Sequence, residues 1–336
     1  MSRQQKTAII LANLGTPDEA TPGAVKRYLN EFLSDARVVE GKGPRRWLWL
    51  MVLKGIVLNI RPKRVAHAYS TIWEDDSPMR NILNRQVAAL KLQLQADLGE
   101  HSPEVFAAMT YGKPSFSHLL ADLQRTGFKQ VLVIPMYPQY SATTTAPIYD
   151  QVAKYQLAQR EVMDIRIVKQ YYDHPAYIDA LSAHMSSYFT EHGQGDKLVL
   201  SYHGIPKEYA DKGDPYPKQC HHTSELLAKA MGLPDQAWMT TFQSRFGPAE
   251  WMQPYTDKTL EKLPAQGVKS LRIACPAFSA DCLETLEEIA VENCDVFKEA
   301  GGEDYQYIPA LNDDPAFINL MAALVKEQAG DWVGTR

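Results

Sequence analysis

Short apolar runs alternate along this chain with longer segments whose apolar residues recur at helical spacing. The short runs are almost continuously apolar, which is typical of strands buried on both faces of a parallel sheet. Parallel strands need a long crossover connection, usually a helix, and the intervening segments supply these connections. The alternation therefore predicts an α/β protein in which helices flank mostly parallel sheets.

The predicted elements cover most of the chain. Strands are predicted at 7–15, 105–112, 130–138, 165–171, 197–203, 238–243, 270–278 and 305–309. Helices are predicted at 25–33, 115–126, 147–159, 175–191, 219–231, 256–264, 282–299 and 314–328.

So many strands in 336 residues suit two sheets better than one, and we therefore predict two domains. The first comprises 1–155 and 311–336, and the second comprises 156–310. Ligands of open α/β sheets bind at the carboxyl ends of the strands. We therefore expect the active site in the cleft between the two domains.

Charge and cysteine spacing exclude several classes of function. With 35 Lys+Arg against 40 Asp+Glu, the net charge of -5 argues against a general nucleic-acid partner. No C-x-x-C pair gives zinc-ribbon spacing. An iron–sulfur cluster built from four distant thiolates is the disfavoured alternative to buried, reduced cysteines, so we expect no cofactor. The cysteines are Cys220, Cys275, Cys282 and Cys294.

The start of the chain and an apolar segment bear on location. Residues 1–6 are polar and lead straight into the first strand without a secretory signal, which predicts a cytoplasmic protein. The segment 47–60 is strongly apolar but carries Lys54 and is shorter than the about 20 residues of a bilayer span. Basic residues flank this segment on both sides. Its composition favours a buried helix, with an apolar lip around a ligand site or a membrane-contacting surface as alternatives.

One histidine stands at a strand end. Of the nine histidines, only His203 follows a strongly apolar strand, in the sequence Ser-Tyr-His-Gly-Ile-Pro at 201–206. An imidazole there can accept a proton near neutral pH or ligate a transition metal. On spacing alone, a turn histidine hydrogen-bonded to the backbone is the favoured interpretation.

A series of carboxylates follows another strand. Asp281, Glu284, Glu288 and Glu292 recur at steps of three and four, which places them on one face of a helix. Asp281 suits an N-cap, and Glu284 completes a capping-box pattern. A solvated helix face is the ordinary explanation of such a series, and a path for protons or cations is the more specific, functional explanation.

Six blocks of sequence occur together in an order that resembles the ferrochelatases, in particular their short bacterial form. The blocks are 11–17, 32–39, 137–145, 201–206, 241–248 with Trp251, and 276–288. The resemblance implies two Rossmann-like, chelatase-type domains, each a parallel sheet flanked by helices, with a porphyrin bound between them. It implies insertion of Fe²⁺ into protoporphyrin IX, which gives protoheme and releases two protons as the last step of heme biosynthesis. No G-x-G-x-x-G follows a strand, so a dinucleotide is not expected.

The resemblance also assigns roles to residues. It implies that His203 and Glu284 face each other across the porphyrin as the catalytic pair and as the groups that hold the iron. Whether His203 acts as base or as iron ligand is left open. Residues expected to bind the porphyrin are Leu14, Arg61, Tyr69, Ser77, Tyr137, Trp251 and Phe278. The path for protons or metal is expected to include Asp281 and Glu288.

This sequence departs from the family pattern in three places. Asp75-Asp76 precede Ser77 where the family usually has glycines, and Ala142 follows Gln-Tyr-Ser where a cysteine is common. The chain ends at Arg336 without the cysteine-bearing extension of animal forms, so a cluster of the animal type is not expected.

Several alternatives stay open at this point. The porphyrin could be coproporphyrin III, the metal could be cobalt, or the chain could be a noncatalytic heme or porphyrin carrier. The expected partners are a porphyrin and ferrous iron, without nucleic acid, in a monomer or a homodimer. The resemblance implies that residues 47–60 form part of an apolar lip of the porphyrin pocket in the first domain. Through this lip, a cytoplasmic protein could contact the inner membrane peripherally.

Overall fold

A computed structural model describes residues 6–334 of the chain. The segments 1–5 and 335–336, which include most of the polar start of the sequence, lie outside the described residues. The strands are β1 (Lys6–Thr16), β2 (Glu104–Gly112), β3 (Phe128–Pro135), β4 (Asp164–Ile167), β5 (Lys197–His203), β6 (Trp238–Gln243), β7 (Ser270–Ala274) and β8 (Asp304–Ile308).

Helices connect the strands. The α-helices are α1 (Pro22–Leu33), α2 (Pro44–Val52), α3 (Leu58–Ile72), α4 (Pro78–Leu98), α5 (Phe116–Arg125), α6 (Thr145–Ala158), α7 (Pro175–His192), α8 (Lys207–Asp211), α9 (Tyr216–Ala230), α10 (Thr256–Leu260), α11 (Asn293–Glu299) and α12 (Pro315–Val333). The wider π-helix, with hydrogen bonds between residues five apart, occurs at Leu53–Val57 and at Glu284–Glu292.

The strands form two separate four-stranded sheets. The first has the order β2-β1-β3-β4 and the second has the order β6-β5-β7-β8, and every pair of neighbouring strands is parallel. The predicted class, α/β with two parallel sheets flanked by helices, is therefore confirmed. In both sheets the second strand lies on one side of the first strand and the third strand lies on the other side. The carboxyl ends of β1 and β5 therefore lie at topological switch points. The cleft between domains stays a prediction.

The first compact unit comprises 6–137, 142–169 and 313–334. Its sheet buries Ile10 and Val133, which are register partners, against Phe116 and Leu120 of α5. Each large apolar side chain buried in this way contributes about 1.5–3 kcal/mol. On the other side, the C-terminal helix α12 packs against α4. The carboxyl ends of β1 and β3 are thereby held in a rigid frame.

The second compact unit comprises 138–141 and 170–312. Its sheet packs Val199 and Ile273 against Phe297 of α11, with Tyr305 of β8 in the same core. The short segment 138–141 belongs here because its backbone hydrogen-bonds within this unit. The Tyr171 N–H donates to Pro138 O over 2.9 Å, and the Gln219 side chain accepts the Tyr140 N–H over 2.8 Å.

The unit boundary lies later than residue 155. That position falls inside α6, and β4 pairs with β3 in the first sheet, so the first unit continues to residue 169. The strand predicted at 270–278 ends at Ala274, because the Phe278 N–H donates to Cys275 O in a turn, over 3.0 Å. Its apolar residues continue into that turn, which is why the sequence pattern extends too far.

The apolar segment 47–60 is not a buried helix, so that prediction is wrong. It spans the end of α2, the π-helix Leu53–Val57 and the start of α3, and only one face of it is packed. Leu53 and Val57 are buried, whereas Trp47 is 65% exposed and Ile60 is 68% exposed. No helix within residues 6–334 has the length and apolar character needed to cross a membrane.

Candidate functional site

His203 is the last residue of β5 and lies at the carboxyl end of the second sheet. Directly after it, a Cβ on Gly204 would lie 3.0 Å from Gln243 O and 3.2 Å from the Trp251 ring, so any larger residue at this turn would have to displace these neighbours slightly. The His203 Nδ1 donates to Gly204 O over 2.7 Å, since a carbonyl oxygen can only accept. In the neutral ring, this bond leaves the lone pair on Nε2, which can take a proton or bind a metal.

Trp251 forms a wall beside this histidine. The backbone of Pro206 pairs with that of Trp251 in an antiparallel bridge, and the Met252 N–H donates to Ile205 O over 3.0 Å. The Trp251 indole donates to Phe246 O over 2.9 Å, which fixes the ring. Its ring centroid lies 6.5 Å from that of His203. The structure thus brings together two residues that the sequence analysis had placed at the site.

Glu288 lies on the π-helix Glu284–Glu292, and Ser244 holds its carboxylate. The Ser244 N–H donates to one carboxylate oxygen over 2.7 Å, and the Ser244 hydroxyl donates to the other. Ser244 has a φ of 63°, a left-handed conformation that costs a non-glycine residue about 1–3 kcal/mol. Ser244 lies in the block 241–248 but carries no chemical signal of its own, so its role is not predicted from the sequence.

Electrostatic interactions link Glu288, predicted on the proton or metal path, to the predicted catalytic pair His203 and Glu284. Burial raises the pKa of Glu288, and the negative charge of Glu284 raises it further. The Ser244 hydrogen bonds and the positive charge that His203 can carry act in the opposite direction. On the same helix, the half-buried Glu284 lies beside Cys282, where burial and the Glu284 charge together raise the pKa of the thiol. His203, Glu284 and Glu288 therefore form one interacting set.

Asp281 does not form the predicted capping box. The π-helix follows Leu283 without a side-chain cap, and Asp281 is buried ahead of it. Its carboxylate instead accepts hydrogen bonds from four groups. These donors are the Thr285 hydroxyl at 2.9 Å, the Tyr307 hydroxyl at 2.6 Å, the Ala310 N–H at 3.3 Å and the Asn312 amide at 2.8 Å.

Asn312 repeats the arrangement seen at Ser244. Its φ is 51°, and its side chain both donates to the Asp281 carboxylate and accepts the Asp281 N–H over 2.9 Å. Among residues 6–334, Ser244 and Asn312 are the two non-glycine residues with positive φ, and each holds an acidic residue of the series. Left-handed backbone at a polar residue marks sites where the fold imposes an unusual conformation.

Exposure rises along the carboxylate series. Asp281 is buried, Glu284 and Glu288 are half-buried, and Glu292 is exposed. The series therefore runs from the interior of the second unit to solvent. A like-charged series of this kind stays stable only where protons, cations or solvent compensate the repulsion.

In the first unit, Leu14 and Tyr137 lie at the carboxyl ends of neighbouring strands β1 and β3. Both are half-buried, and burial raises the pKa of the Tyr137 hydroxyl. Gly15 follows with a φ of 132°, and a Cβ there would lie 1.9 Å from Tyr111 O. The backbone at the end of β1 therefore accepts no other residue without moving.

The other predicted porphyrin-binding residues of this unit are less closely grouped. Arg61 and Tyr69 lie on α3, where Arg61 is exposed and Tyr69 is buried in edge contact with Trp73. Ser77 is the N-cap of α4 and accepts the Arg80 N–H over 3.3 Å.

The departure from the family pattern before Ser77 also has a local explanation. The Asp76 carboxylate accepts the Ser77 N–H over 2.6 Å and pairs with the Arg80 guanidinium. Asp76 thus fixes the loop that leads into α4.

Phe278 completes the residues predicted in the second unit. It is half-buried in the turn after β7 and packs on the core that contains Ile273 and Phe297. Within residues 6–334, no three His, Cys, Asp or Glu side chains are grouped so as to hold a metal ion. His203 and Glu284 thus remain a two-residue candidate for holding ferrous iron, which is the substrate and not a resident ion.

Comparisons with known proteins show which family this chain is similar to. The family model described as Ferrochelatase matches residues 6–329. The protein named Ferrochelatase from Psychrobacter sp. (strain PRwf-1) is 49% identical over 330 residues, which cover 98% of this chain and 96% of that protein. Its counterpart in Acinetobacter baumannii (strain ACICU) is 49% identical over 324 residues, covering 96% and 95%.

Solved structures are similar in fold alone. SirB from Bacillus subtilis with Fe³⁺ has a TM-score of 0.55 at 12% identity and covers 97% of each chain. The sirohydrochlorin chelatase SirB from Bacillus subtilis subspecies spizizenii, in complex with cobalt, has a TM-score of 0.53 at 12% identity, covering 98% of this chain and 96% of that one.

Proposed function

This chain belongs to the ferrochelatase family and is a metal chelatase of heme biosynthesis, and we propose that His203, Glu284 and Glu288 carry out its chemistry on protoporphyrin IX. The reaction replaces two pyrrole N–H protons by one Fe²⁺ ion. The products are protoheme and two protons, so charge and atoms balance without an oxidant or reductant.

His203 is the group that we place at the porphyrin nitrogens. Its hydrogen bond from Nδ1 to Gly204 O is the observation on which the proposal rests, because it leaves Nε2 with a lone pair. That lone pair accepts a pyrrole proton or holds the incoming iron, and Glu284 assists from the π-helix. A correctly placed general base typically contributes about 10²–10⁴-fold to a rate.

The carboxylate series carries the protons onward. Glu288 has a raised pKa because of its burial, so it exchanges protons closer to neutral pH than an ordinary glutamate does. Asp281 forms the buried inner end of the series, and the exposed Glu292 lies at its outer end. Metal could use the same series in the inward direction.

Aromatic and apolar residues grip the macrocycle. We assign Leu14 and Tyr137 of the first unit, together with Trp251 and Phe278 of the second, to contacts with the porphyrin. Each lies at or after the carboxyl end of a strand in its own unit, where α/β sheets bind ligands. The porphyrin's polar edge is assigned to Tyr69, Ser77 and Arg61, whose guanidinium can pair with a propionate.

No resident cofactor is proposed, and the cysteines are assigned as thiols. Burial raises the pKa of Cys220, Cys275 and Cys282 well above the ordinary value. Burial thus favours the protonated thiol at each of these positions, whereas a cluster ligand is a thiolate. An anaerobic absorbance spectrum of the purified protein tests this assignment, since a cluster would add charge-transfer bands in the visible range.

Anaerobic Fe²⁺ insertion by the purified protein is the test of the function. Protoporphyrin IX and coproporphyrin III are compared by absorbance, and we expect turnover with a preference for protoporphyrin IX. Preference for coproporphyrin III would replace the substrate assignment. Binding of both porphyrins without turnover would support a carrier, and normal turnover of Glu284→Gln would remove Glu284 from the catalytic pair.

The exposed apolar face of residues 47–60 is assigned to peripheral contact with the inner membrane, from the cytoplasmic side. Its exposed residues are Trp47, Leu48, Met51, Ile56 and Ile60. Apolar side chains flanked by basic residues favour the surface of anionic lipids. Sedimentation with vesicles of anionic lipid tests this contact, with Trp47→Glu expected to reduce binding and Leu157→Glu, at an exposed leucine of α6, as the control. Equal binding by both variants would contradict it.

For the oligomeric state, a monomer or a homodimer is proposed. Light scattering on a sizing column distinguishes the two, against a chain mass of 37.8 kDa.

A further inference from the structure

The π-helix Glu284–Glu292 is long for its type. π-helical segments occur mostly as single turns inside α-helices, because the wider ring is less favourable than the α-helical one. Here the segment spans nine residues and runs directly into α11. Interactions outside the helix are therefore needed to keep it in this form.

Asn293 closes the π-helix at its C-terminal end. Its backbone N–H donates to Glu288 O, five residues earlier, and its side-chain Nδ2 donates to the same oxygen over 2.7 Å. Asn293 is buried, so water does not compete for this contact. One residue thus binds the same carbonyl twice at π-helical spacing.

Two further side chains donate to carbonyls of this helix. The Tyr305 hydroxyl on β8 donates to Ile289 O over 2.5 Å. At the first turn, the buried Gln243 side chain donates from Nε2 to Glu284 O over 3.2 Å. The Gln243 Oε1 accepts the Ser201 hydroxyl over 2.7 Å, so this tether leads back to the strand that carries His203.

The second π-helix of the chain uses the same device. Asn59 follows Leu53–Val57, and its Nδ2 donates to Lys54 O over 3.3 Å and to Gly55 O over 3.0 Å. Asn59 lies five residues after Lys54, as Asn293 does after Glu288. An asparagine amide at this spacing therefore accompanies both π-helices among the described residues.

We propose that Asn293, Tyr305 and Gln243 are positioning residues that keep 284–292 π-helical and thereby hold Glu288 against Ser244. This inference rests on the proposed function of Glu288, and it adds residues that do not touch the reacting atoms. Without these three side-chain donors, the carbonyl oxygens of the π-helix accept hydrogen bonds from water instead, or from the N–H four residues later as in an α-helix. The Glu284 and Glu288 side chains then move away from the end of β5.

Tyr305→Phe tests the proposal most cleanly. The phenylalanine keeps the ring that packs against Phe297, with centroids 5.9 Å apart, and removes only the hydroxyl. Tyr188→Phe is the matched control, because its hydroxyl donates over 3.2 Å to the Gln306 side chain and not to the helix.

Amide hydrogen exchange of the peptide covering 284–293, followed by mass spectrometry, is the first measurement. We expect about two- to tenfold faster exchange in Tyr305→Phe, the range that corresponds to one net hydrogen bond, and no change in Tyr188→Phe. Iron insertion is the second measurement, with a fall in kcat of the same size and an unchanged KM for the porphyrin.

Unchanged exchange in both Tyr305→Phe and the isosteric Asn293→Asp would overturn the inference. So would an equal increase in exchange over the whole second unit, since that is general destabilisation and not loss of a local register. The exchange measurement does not depend on turnover. If the purified wild type failed to insert iron, the proposed function would fail while the tether could still be judged.

Discussion

Ser244 holds Glu288 by two hydrogen bonds from one residue, with its N–H and its hydroxyl donating to different oxygens of the carboxylate. Ser244 makes both bonds from a left-handed backbone conformation, with a φ of 63°. Ser244 follows Gln243, the register partner of His203, so this contact sets Glu288 beside the end of β5. The strained backbone of Ser244 thus accompanies two hydrogen bonds that fix the Glu288 carboxylate.

Paired substitutions at Ser244 separate the strain from the hydrogen bond. Both Ser244→Ala and Ser244→Gly remove the hydroxyl donor, but only glycine also relieves the positive φ. We expect the glycine variant to be about 0.5–1 kcal/mol more stable than the alanine variant by urea denaturation. Equal stability of the two variants would show that the strain at a φ of 63° is no larger than the about 0.5–1 kcal/mol by which glycine's freedom in the unfolded chain favours alanine.

His203→Ala should lose turnover without losing the fold. The expected fall in kcat/KM is about 10²–10⁴-fold, because the group that accepts pyrrole protons or holds iron is removed. The melting temperature should change little, since His203 is half-buried and is the last residue of β5. His184→Ala is the control, because His184 also bonds a backbone carbonyl, Pro309 O at 3.0 Å. Wild-type turnover in His203→Ala would exclude the assigned role.

Glu288→Gln should be more stable than the wild type at alkaline pH. The folded state raises the pKa of Glu288, so between the unfolded and folded pKa values the native protein binds more protons. Its contribution to stability is therefore fully present below the unfolded pKa and is lost as pH rises through the folded pKa.

The neutral amide escapes this loss. The difference in melting temperature between Glu288→Gln and the wild type should accordingly grow from acid to alkaline pH in a thermal-shift series. A constant difference across the series would contradict a raised pKa. In the same series, the iron-insertion rate of the wild type should fall at acid pH, where Glu288 is protonated, and the variant should show no such fall because its amide does not titrate.

Asp281→Asn should mainly destabilise the protein. An amide offers one acceptor oxygen and two donors, so it cannot accept all four hydrogen bonds that reach the Asp281 carboxylate. Leaving a buried donor without a partner costs about 1–3 kcal/mol. Urea denaturation measures this loss, and kcat at low temperature shows whether Asp281 also carries protons. Unchanged stability would mean that the four donors find other acceptors.

Two strands of the second unit, β5 and β6, have the bounds that the sequence predicts. In β5 the residues 198–200 are apolar and buried, as is typical of a strand covered on both faces. In β6 the apolar residues are mixed with threonine and glutamine, so its bounds follow a weaker signal. The apolar signal fails at 270–278, where apolar residues continue into a turn. It also fails at 47–60, because an exposed apolar face and a buried one have the same composition.

Tertiary contacts explain what the sequence could not predict. The π-helix depends on donors from Asn293, Tyr305 and Gln243, which are far apart or chemically ordinary in the sequence. Ser244 is likewise an ordinary serine until its backbone conformation is known. His203 and Glu284 were named through the resemblance to a family, and spacing alone had favoured a structural role for each.

The two sheets share one strand order, with the first strand of each set between the second and the third. Every group that we assign to proton transfer lies on the second copy of this order, whereas Leu14, Arg61 and Tyr137 lie on the first. The fold thus repeats one scaffold and gives the ionisable chemistry to a single copy. Mutations in the first copy can retune which tetrapyrrole is gripped and leave proton handling untouched, so these two traits are free to evolve separately.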